Sequence, residues 1–571
     1  MRGRNADGGE IMFVGIDVGG TYTDAVLLDK DQVRTIAKVP TRENLLDSLT
    51  EAIDMIVKDA DKQKIERIVF STTIITNLIA ERKYEDVDLL IMPGPGLSHD
   101  CYKNKPYVHI ISGAIDYRGR EVISLKEQEI EAVMLEIANS GSKKVGVVGK
   151  FSTRNTSHEK QVAKIINDKY PEWKVEIGAK IGSQLNFPRR METTYLTCAT
   201  REPYHHFIES VRQVLIKREI HADVFILKAD GGTIPLHGSE ELPVETIFSG
   251  PAASTLGVQA LTGPGETAVV VDIGGTTTDL ALILSGQPLL SAKGARVMDR
   301  LTQVRALAVK SLAVGGDSVL NIVGEEINIS GQRMGPAYCL GGPSPTPTDA
   351  LRVLNMTDLG DRDKAAAAMA VLGEGLNLSA EEVARRVVDR VVNIITAEIK
   401  NMFLEWEQEP AYRVWDILHK HAIKPTIVAG VGGGAVGFAA RIAEKLGCRT
   451  VIPQYSTVAN AIGAALAKPT MQVNLRADTE QGYYIIQEEG HQEKISDRDF
   501  NEQKALALAK DSLVQRAAKY GVEIAPGEIE VTRLEVFNMI RDWNTTGRLY
   551  DITVQTPRGI VSRIRMGGVI I

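Results

Sequence analysis

"VGIDVGGTYTDAVLLD" (Val14–Asp29) and "VVDIGGTTTDLALIL" (Val270–Leu284) are two copies of one pattern in a single chain. In each, an apolar run that reads as a buried strand meets an aspartate, Asp17 or Asp272. Two glycines follow, then hydroxyl residues, a second aspartate and another apolar run. Two apolar runs joined by a Gly-Gly turn predict a β-hairpin. Glycine there permits φ > 0 and lets backbone N–H groups approach a ligand without interference from a Cβ. Thr21 and Thr23 in the first copy, and Thr276, Thr277 and Thr278 in the second, add hydroxyl donors beside Gly19, Gly20, Gly274 and Gly275. N–H and hydroxyl donors together make a phosphate cradle. An aspartate beside a phosphate is repulsive unless a cation lies between them, so Asp17 and Asp272 imply Mg²⁺, which takes oxygen ligands. A plain hairpin with a polar turn would explain either copy alone; the repetition of Asp-x-Gly-Gly-Thr argues against it.

The rest of the chain limits the alternatives. With 571 residues, it is too long for one core, and roughly three or four domains are expected. A net charge of −7 gives no electrostatic footprint for nucleic acid and no polybasic membrane patch. No stretch approaches the roughly 20 apolar residues of a membrane span. Arg2 and Arg4 are followed by Asp7 and Glu10, which is not a signal peptide. Residues 1–11 read as a tail, with Met12 as the natural start. Cys101, Cys198, Cys339 and Cys448 are scattered. They suggest neither a zinc ribbon nor a disulfide framework, and point to a reducing, cytoplasmic compartment.

Neither Gly-x-x-x-x-Gly-Lys-Ser/Thr nor a helix-opening Gly-x-Gly-x-x-Gly is present. The duplicated hairpin instead resembles those of the superfamily of acetate and sugar kinases, Hsp70 and actin. That resemblance implies an α/β chain with two ribonuclease H-like lobes around a nucleotide cleft, each hairpin holding the terminal phosphates of ATP from one side. A third motif would close on adenosine. "TIVAGVGGGAVGFAARIAEKLG" (Thr426–Gly447) fits, with a strand running through Gly432, Gly433 and Gly434 into a helix, whose N-terminus favours an anion or nucleotide. A tight strand-to-helix turn with no ligand would explain the motif alone, but its order after both hairpins favours the ligand.

"STTIITNLIAERK" (Ser71–Lys83), "FSTRNTSHEKQV" (Phe151–Val162), "ADGGTIPL" with "PVETIFSGPAAS" (Ala229–Ser254) and "GPAYCLGGPSPTPTDALRVL" (Gly335–Leu354) resemble the hydantoinase A / 5-oxoprolinase family, over residues 12–470. The family also contains ketone carboxylases, and the resemblance implies that ATP activates a carbonyl oxygen. The expected activity is that of a hydantoinase- or 5-oxoprolinase-type cyclic amidase, which O-phosphorylates and hydrolyses a cyclic amide such as a hydantoin or 5-oxoproline. The expected partner is a separate hydantoinase B-like subunit, and self-association stays open. Asp272 is the candidate to orient or deprotonate the acceptor, and Asp17 to organise the metal. Asp24 and Asp279 are expected to fix the hairpins. One departure is "KSLAVGGDSVL" (Lys310–Leu320), where Asp317 replaces a family glycine and Lys310-Ser311 stands where a histidine is expected. A small-molecule kinase, or an ATPase switch acting on a partner protein, are the alternative functions.

Three other features have plain explanations. His158-Glu159 lacks a second histidine at metalloprotease spacing and reads as a helix start capped by Asn155 to Ser157. Cys339 has no paired histidine and reads as inert. His205 and His206, adjacent on a helix, point different ways. The domains expected are a tail (1–11), a first lobe with the first hairpin (12–200), a second lobe with the second hairpin and the adenosine turn (201–470), and a small α+β unit (471–571).

Overall fold

The computed structural model describes residues 11–408 and 424–565, apart from positions 97, 104, 106, 299 and 498. Of the expected tail, residues 1–10 lie outside the described residues, and Ile11 is exposed.

Both repeated sentences fold as antiparallel hairpins: Met12–Val18 with Tyr22–Asp29, and Ala268–Ile273 with Thr278–Leu284. They share a register. Asp17 lies opposite Asp24, and Asp272 opposite Asp279. Each hairpin seeds a sheet of the same order. In the first, Gln32–Pro40 extends the hairpin on one side, while Ile65–Thr72 and Asp223–Leu227 run parallel to Met12–Val18 on the other. In the second, Val309–Leu312 pairs antiparallel with Thr278–Leu284. On its far side Ile427–Val431 and Arg449–Val451 continue in parallel from Ala268–Ile273. These are two ribonuclease H-like lobes, an actin-like architecture.

Between the fourth and fifth strands of the first sheet the chain inserts a four-stranded parallel sheet (Asp88–Met92, Val108–Ile110, Lys144–Gly149, Lys174–Ile177) with helices Glu127–Ser140 and Ser157–Lys169. The helix Phe187–Lys217 then runs through the expected boundary at residue 200, and Asp223–Leu227 and Thr233–Pro235 return to the first sheet. Local periodicity cannot reveal this return, because it is set by pairing with Ile65–Thr72, more than 150 residues earlier. From Gln472 onward a five-stranded antiparallel sheet carries the helix Glu502–Lys519.

Two helices lie between the lobes, Ser249–Leu261 and Ala459–Leu466. Their apolar faces share one core with Val26 and Leu28 of the first sheet and Val270, Ala281 and Ala429 of the second. Both are rich in Ala and Gly because their backbones nearly touch. A Cβ on Gly257 would lie 1.9 Å from the Ala459 carbonyl oxygen, and one on Gly463 would lie 1.9 Å from that of Ala253. No described helix is long and apolar enough to cross a membrane.

Candidate functional site

The shared register puts four carboxylates where the lobes face each other. Asp17 and Asp24 come from one hairpin, Asp272 and Asp279 from the other. Asp17 is 5% exposed; its Oδ2 accepts a 2.6 Å hydrogen bond from Asn460 Nδ2. The same amide donates to Asp24 Oδ2 at 3.0 Å, while Lys38 Nζ reaches Asp24 Oδ1 at 2.7 Å. Asp272 Oδ2 accepts from the Ser254 hydroxyl at 2.5 Å. Each helix between the lobes therefore delivers one polar side chain, Asn460 or Ser254, to one of the paired aspartates.

This crowding leaves negative charge poorly compensated. Burial, with Asp24 and Asp272 nearby, pushes the Asp17 carboxyl up to about 6, against the pull of the Asn460 amide and the nearby Ser71 hydroxyl. Ser71 lies opposite Asp17 on the neighbouring strand, and neither its hydroxyl nor Asp17 Oδ1 has a hydrogen-bond partner among the described residues. Burial and Asp24 raise Asp272, and burial and Asp272 raise Asp279 to about 7. A buried carboxylate oxygen without a partner, among four acids served by few cations, fits a divalent ion held by oxygen ligands.

A carboxyl raised by folding keeps a proton that the unfolded chain has released. Its stabilising contribution is full below the ordinary value of 3.8 and is lost as pH rises through the folded value near 7. Asp279→Asn should therefore stabilise the ligand-free protein progressively between pH 5 and pH 8 relative to the parent. Thermal melts of both proteins across that range measure the difference, and parallel pH profiles would contradict the charge crowding.

The turns above the acids carry the donors. Gly19 N–H and Gly274 N–H are spent closing their hairpins, each donating at 3.0 Å to the carbonyl of Tyr22 or Thr277. The N–H groups one and two positions on, of Gly20 and Thr21 and of Gly275 and Thr276, make no hydrogen bond among the described residues. Thr21 and Thr276 are exposed at the tips, and Thr277 is half-buried. Thr23 is placed differently from the sequence expectation. It is fully buried, 3.0 Å from Thr41 Oγ1, and Thr41 donates to the Gly19 carbonyl, so Thr23 braces the turn from behind. Its counterpart Thr278 does the same by donating to Val314 O.

The glycine turn reaches the same place. Gly432, at φ +82°, leaves no room for a side chain, because a Cβ would lie 2.5 Å from Asp272 Oδ1; Gly434 N–H donates to Ile273 O at 3.0 Å. Gly433 faces open space. The departing segment lies here too. Gly316 and Asp317 N–H groups prop the carbonyls of Gly274 and Gly275 at 2.9 and 2.7 Å. Asp317 pairs with Arg333 at 2.9 Å, and Arg333 reaches Thr21 Oγ1 on the opposite hairpin at 3.4 Å. Lys310 turns away to Glu398 and Glu405, while Ser311 lies opposite Asp279 in the strand pairing.

Asn460, Lys38 and Arg333 were not singled out from sequence; Ser254 lies in the "SGPAAS" signature, but without an assigned role. The helix holding His158-Glu159 begins at Ser157, whose N–H donates to Asn155 Oδ1 at 3.0 Å, while Thr156 makes no side-chain cap. Glu159 is fully buried and accepts from the Gly149 and Ala179 N–H groups, and His158 contacts Glu121 at 2.8 Å. Cys339 is buried and its thiol is pushed up to about 12, by burial first and then by Asp349. His205 lies near Glu209 and Glu240, but Arg212 pairs with both acids.

A family model described as "Hydantoinase/oxoprolinase" matches residues 190–473, and one described as "Hydantoinase/oxoprolinase N-terminal region" matches residues 13–170. Among curated proteins, caprolactamase subunit alpha of Pseudomonas jessenii is 24% identical over 507 residues, covering 80% of this chain and 70% of that one. The acetophenone carboxylase gamma subunit of Aromatoleum aromaticum is 26% identical over 390 residues, covering 60% and 53%. Two solved structures share the fold across nearly the whole chain. Nucleotide-free acetone carboxylase aligns with a TM-score of 0.74 at 16% identity, covering 98% of this chain and 89% of that one. The ATP-dependent caprolactamase from Pseudomonas jessenii aligns with a TM-score of 0.71 at 20% identity, covering 97% and 89%.

Proposed function

Since this chain belongs to the hydantoinase/oxoprolinase family, we propose that it uses ATP to phosphorylate the carbonyl oxygen of a cyclic amide, opening the way to ring hydrolysis. The observation that carries this reading is the four-acid cluster between two matched hairpins, with unpaired N–H groups directly above it. Relatives named as a caprolactamase and as a carboxylase have in common a carbonyl compound as substrate. Amide resonance makes such a carbonyl a poor electrophile. O-phosphorylation removes that resonance.

Asp17, Asp24 and Asp272 are the residues that would hold Mg²⁺, which supplies charge neutralisation for the phosphates. The N–H groups of Gly20, Thr21, Gly275 and Thr276, with the Thr21 and Thr276 hydroxyls, grip the transferring group from two sides. Arg333, between the tips, adds a fixed positive charge where charge develops. Asp272, its carboxyl raised by burial, is suited to take the amide proton from the acceptor. The turn at Gly432, Gly433 and Gly434 takes the adenosine. Closure of the lobes excludes water, which would otherwise consume the activated substrate.

Ring opening is assigned to a hydantoinase B-like partner, because among the described residues no activated nucleophile or uncontested metal cluster accompanies the cleft. The reaction consumes one ATP and two waters for each ring opened, giving ADP, phosphate and the ring-opened acid, an amino acid from a lactam or an N-carbamoyl amino acid from a hydantoin. Four free cysteines suit a reducing, cytoplasmic setting. The test is to incubate the purified chain with ATP, Mg²⁺ and lactams, hydantoins and 5-oxoproline of several ring sizes, with and without the partner. We expect slow phosphate release from the chain alone and matched phosphate and ring-opened acid with the partner. Stoichiometric ring opening by the chain alone would remove the two-subunit claim. Accumulating phosphorylated substrate would make the protein a kinase, and partner-stimulated phosphate release without any ring opening would make it a switch.

A further inference from the structure

Away from the acid cluster, a cavity of about 140 Å³ forms where three parts of the chain meet. The loop after Asp223–Leu227 contributes Lys228 and Asp230, the helix Glu502–Lys519 contributes Arg516, and the segment after the last strand contributes Arg558; Arg305 and Thr470 complete the wall. None of the hairpin or glycine-turn residues lines it.

Its lining sets Lys180, Lys228, Arg305, Arg516 and Arg558 against Asp230, Glu245 and Glu488; Glu488 lies near Arg516 but accepts its hydrogen bonds from Asn474, and Glu245 lies 3.7 Å from Lys228. Arg305 is engaged by Gln472 and Gln555. Arg558 and Arg516, both half-buried, make no hydrogen bond or ion pair among the described residues, although Arg516 rests on the Tyr520 ring. Half-buried guanidinium groups with no protein partner leave donors facing the cavity, and a planar fork is the geometry that grips a carboxylate or phosphate. Thr470, only 6% exposed, has a hydroxyl without a partner on the same wall. It is held there tightly, since a Cβ on Gly232 would overlap its side chain. Asp230 registers the field. Burial alone would raise its carboxyl, yet Lys228, Arg305, the Gly232 N–H and Arg558 together hold it below the ordinary value. Asp230 is already occupied by Gly232 N–H at 3.0 Å and Lys228 at 3.6 Å, so it does not answer Arg516 or saturate Arg558.

We infer that this cavity is a binding site for one small oxyanion, a carboxylate or phosphate group gripped by Arg558 and Arg516 and touched by Thr470. The site gives the unit beyond Gln472 a role. Its helix and terminal segment close a pocket whose floor belongs to the first lobe, so an occupied site ties the two together.

Calorimetric titration of the full chain at constant ionic strength, with inorganic phosphate in one arm and propionate in the other, tests the inference. At least one should bind saturably below about 10 mM, a range that covers a millimolar Kd. Arg558→Gln and Arg516→Gln should each weaken that binding roughly tenfold or more, the loss expected for one charge-assisted hydrogen bond. The arm that responds identifies the source of the oxyanion. Because neither arginine lines the cleft, phosphate binding that survives both substitutions belongs elsewhere and overturns the proposal, as does absence of binding by both anions. Should Arg558→Gln fail to fold, as judged by its circular dichroism melt, Arg516→Gln on the helix face carries the test. Nucleotide binding by either variant reports on the cleft separately.

Discussion

Asp272→Asn is expected to retain nucleotide but lose turnover by roughly 10²–10⁴-fold, the usual scale for removing one acid–base or charge-stabilising group. The substitution changes little else. Asparagine keeps the shape beside Gly432, whose backbone leaves no room for anything larger at that contact. Its amide oxygen can still accept from Ser254, which lies 2.5 Å from Asp272 Oδ2. What disappears is the charge that would hold the metal and take the acceptor proton. The same charge raises the carboxyl of Asp279, so its removal relieves like-charge crowding. The inactive variant should therefore be at least as stable as the parent at pH 8. Turnover, nucleotide affinity and melting temperature measured together separate this outcome from simple misfolding. Parent-rate turnover would remove Asp272 from the chemistry, and a marked fall in stability would mean that its role is structural.

The acids were legible in the sequence because Asp-x-Gly-Gly-Thr is a local pattern, and its repetition announced two lobes. Thr23 does not join the donors at the turn because strand alternation turns it away from them. Asp24 shares the cluster with Asp17, so its neighbour Thr23 must point to the opposite face, where it meets Thr41. Gly19 and Gly274 were read as donors, but closing each hairpin uses their N–H groups first. Asn460 gave no signal. It is one amide in an Ala- and Gly-rich helix, and its importance comes from lying beside residues more than 430 positions away. Arg333 and Asp317 were equally silent as a pair. Asp317 showed only as a departure from the family's glycine, with nothing local to say that a guanidinium would neutralise it. The return of Asp223–Leu227 to the first sheet was hidden for the same reason, a long-range pairing without a local mark.

The small residues between the lobes lead to the other large effect. Gly463→Ala should destabilise the protein by about 3 kcal/mol, at the upper end of ordinary overpacking, and lower turnover as well. The added methyl carbon would lie 1.9 Å from Ala253 O and 2.4 Å from Gly257 N. Both are backbone atoms of the neighbouring helix, so no rotamer change relieves the clash. Nor can the Ala459–Leu466 helix retreat. On its other side it presses on the first hairpin, where a Cβ on Gly15 would already lie 1.9 Å from Ala461 O. The helices must therefore separate, and they carry Asn460 and Ser254, which position Asp17, Asp24 and Asp272. A displacement of even about 1 Å at catalytic groups is enough to cost two orders of magnitude in rate. Gly433→Ala is the matched control. Its Cβ would meet nothing within 4 Å, so it should stay within about 0.5 kcal/mol of the parent. Denaturant midpoints for the two variants, compared at equal slope, give the difference directly. Equal midpoints would mean that the helices slide freely past each other, and that close backbone contact between the lobes does not set the geometry of the acid cluster.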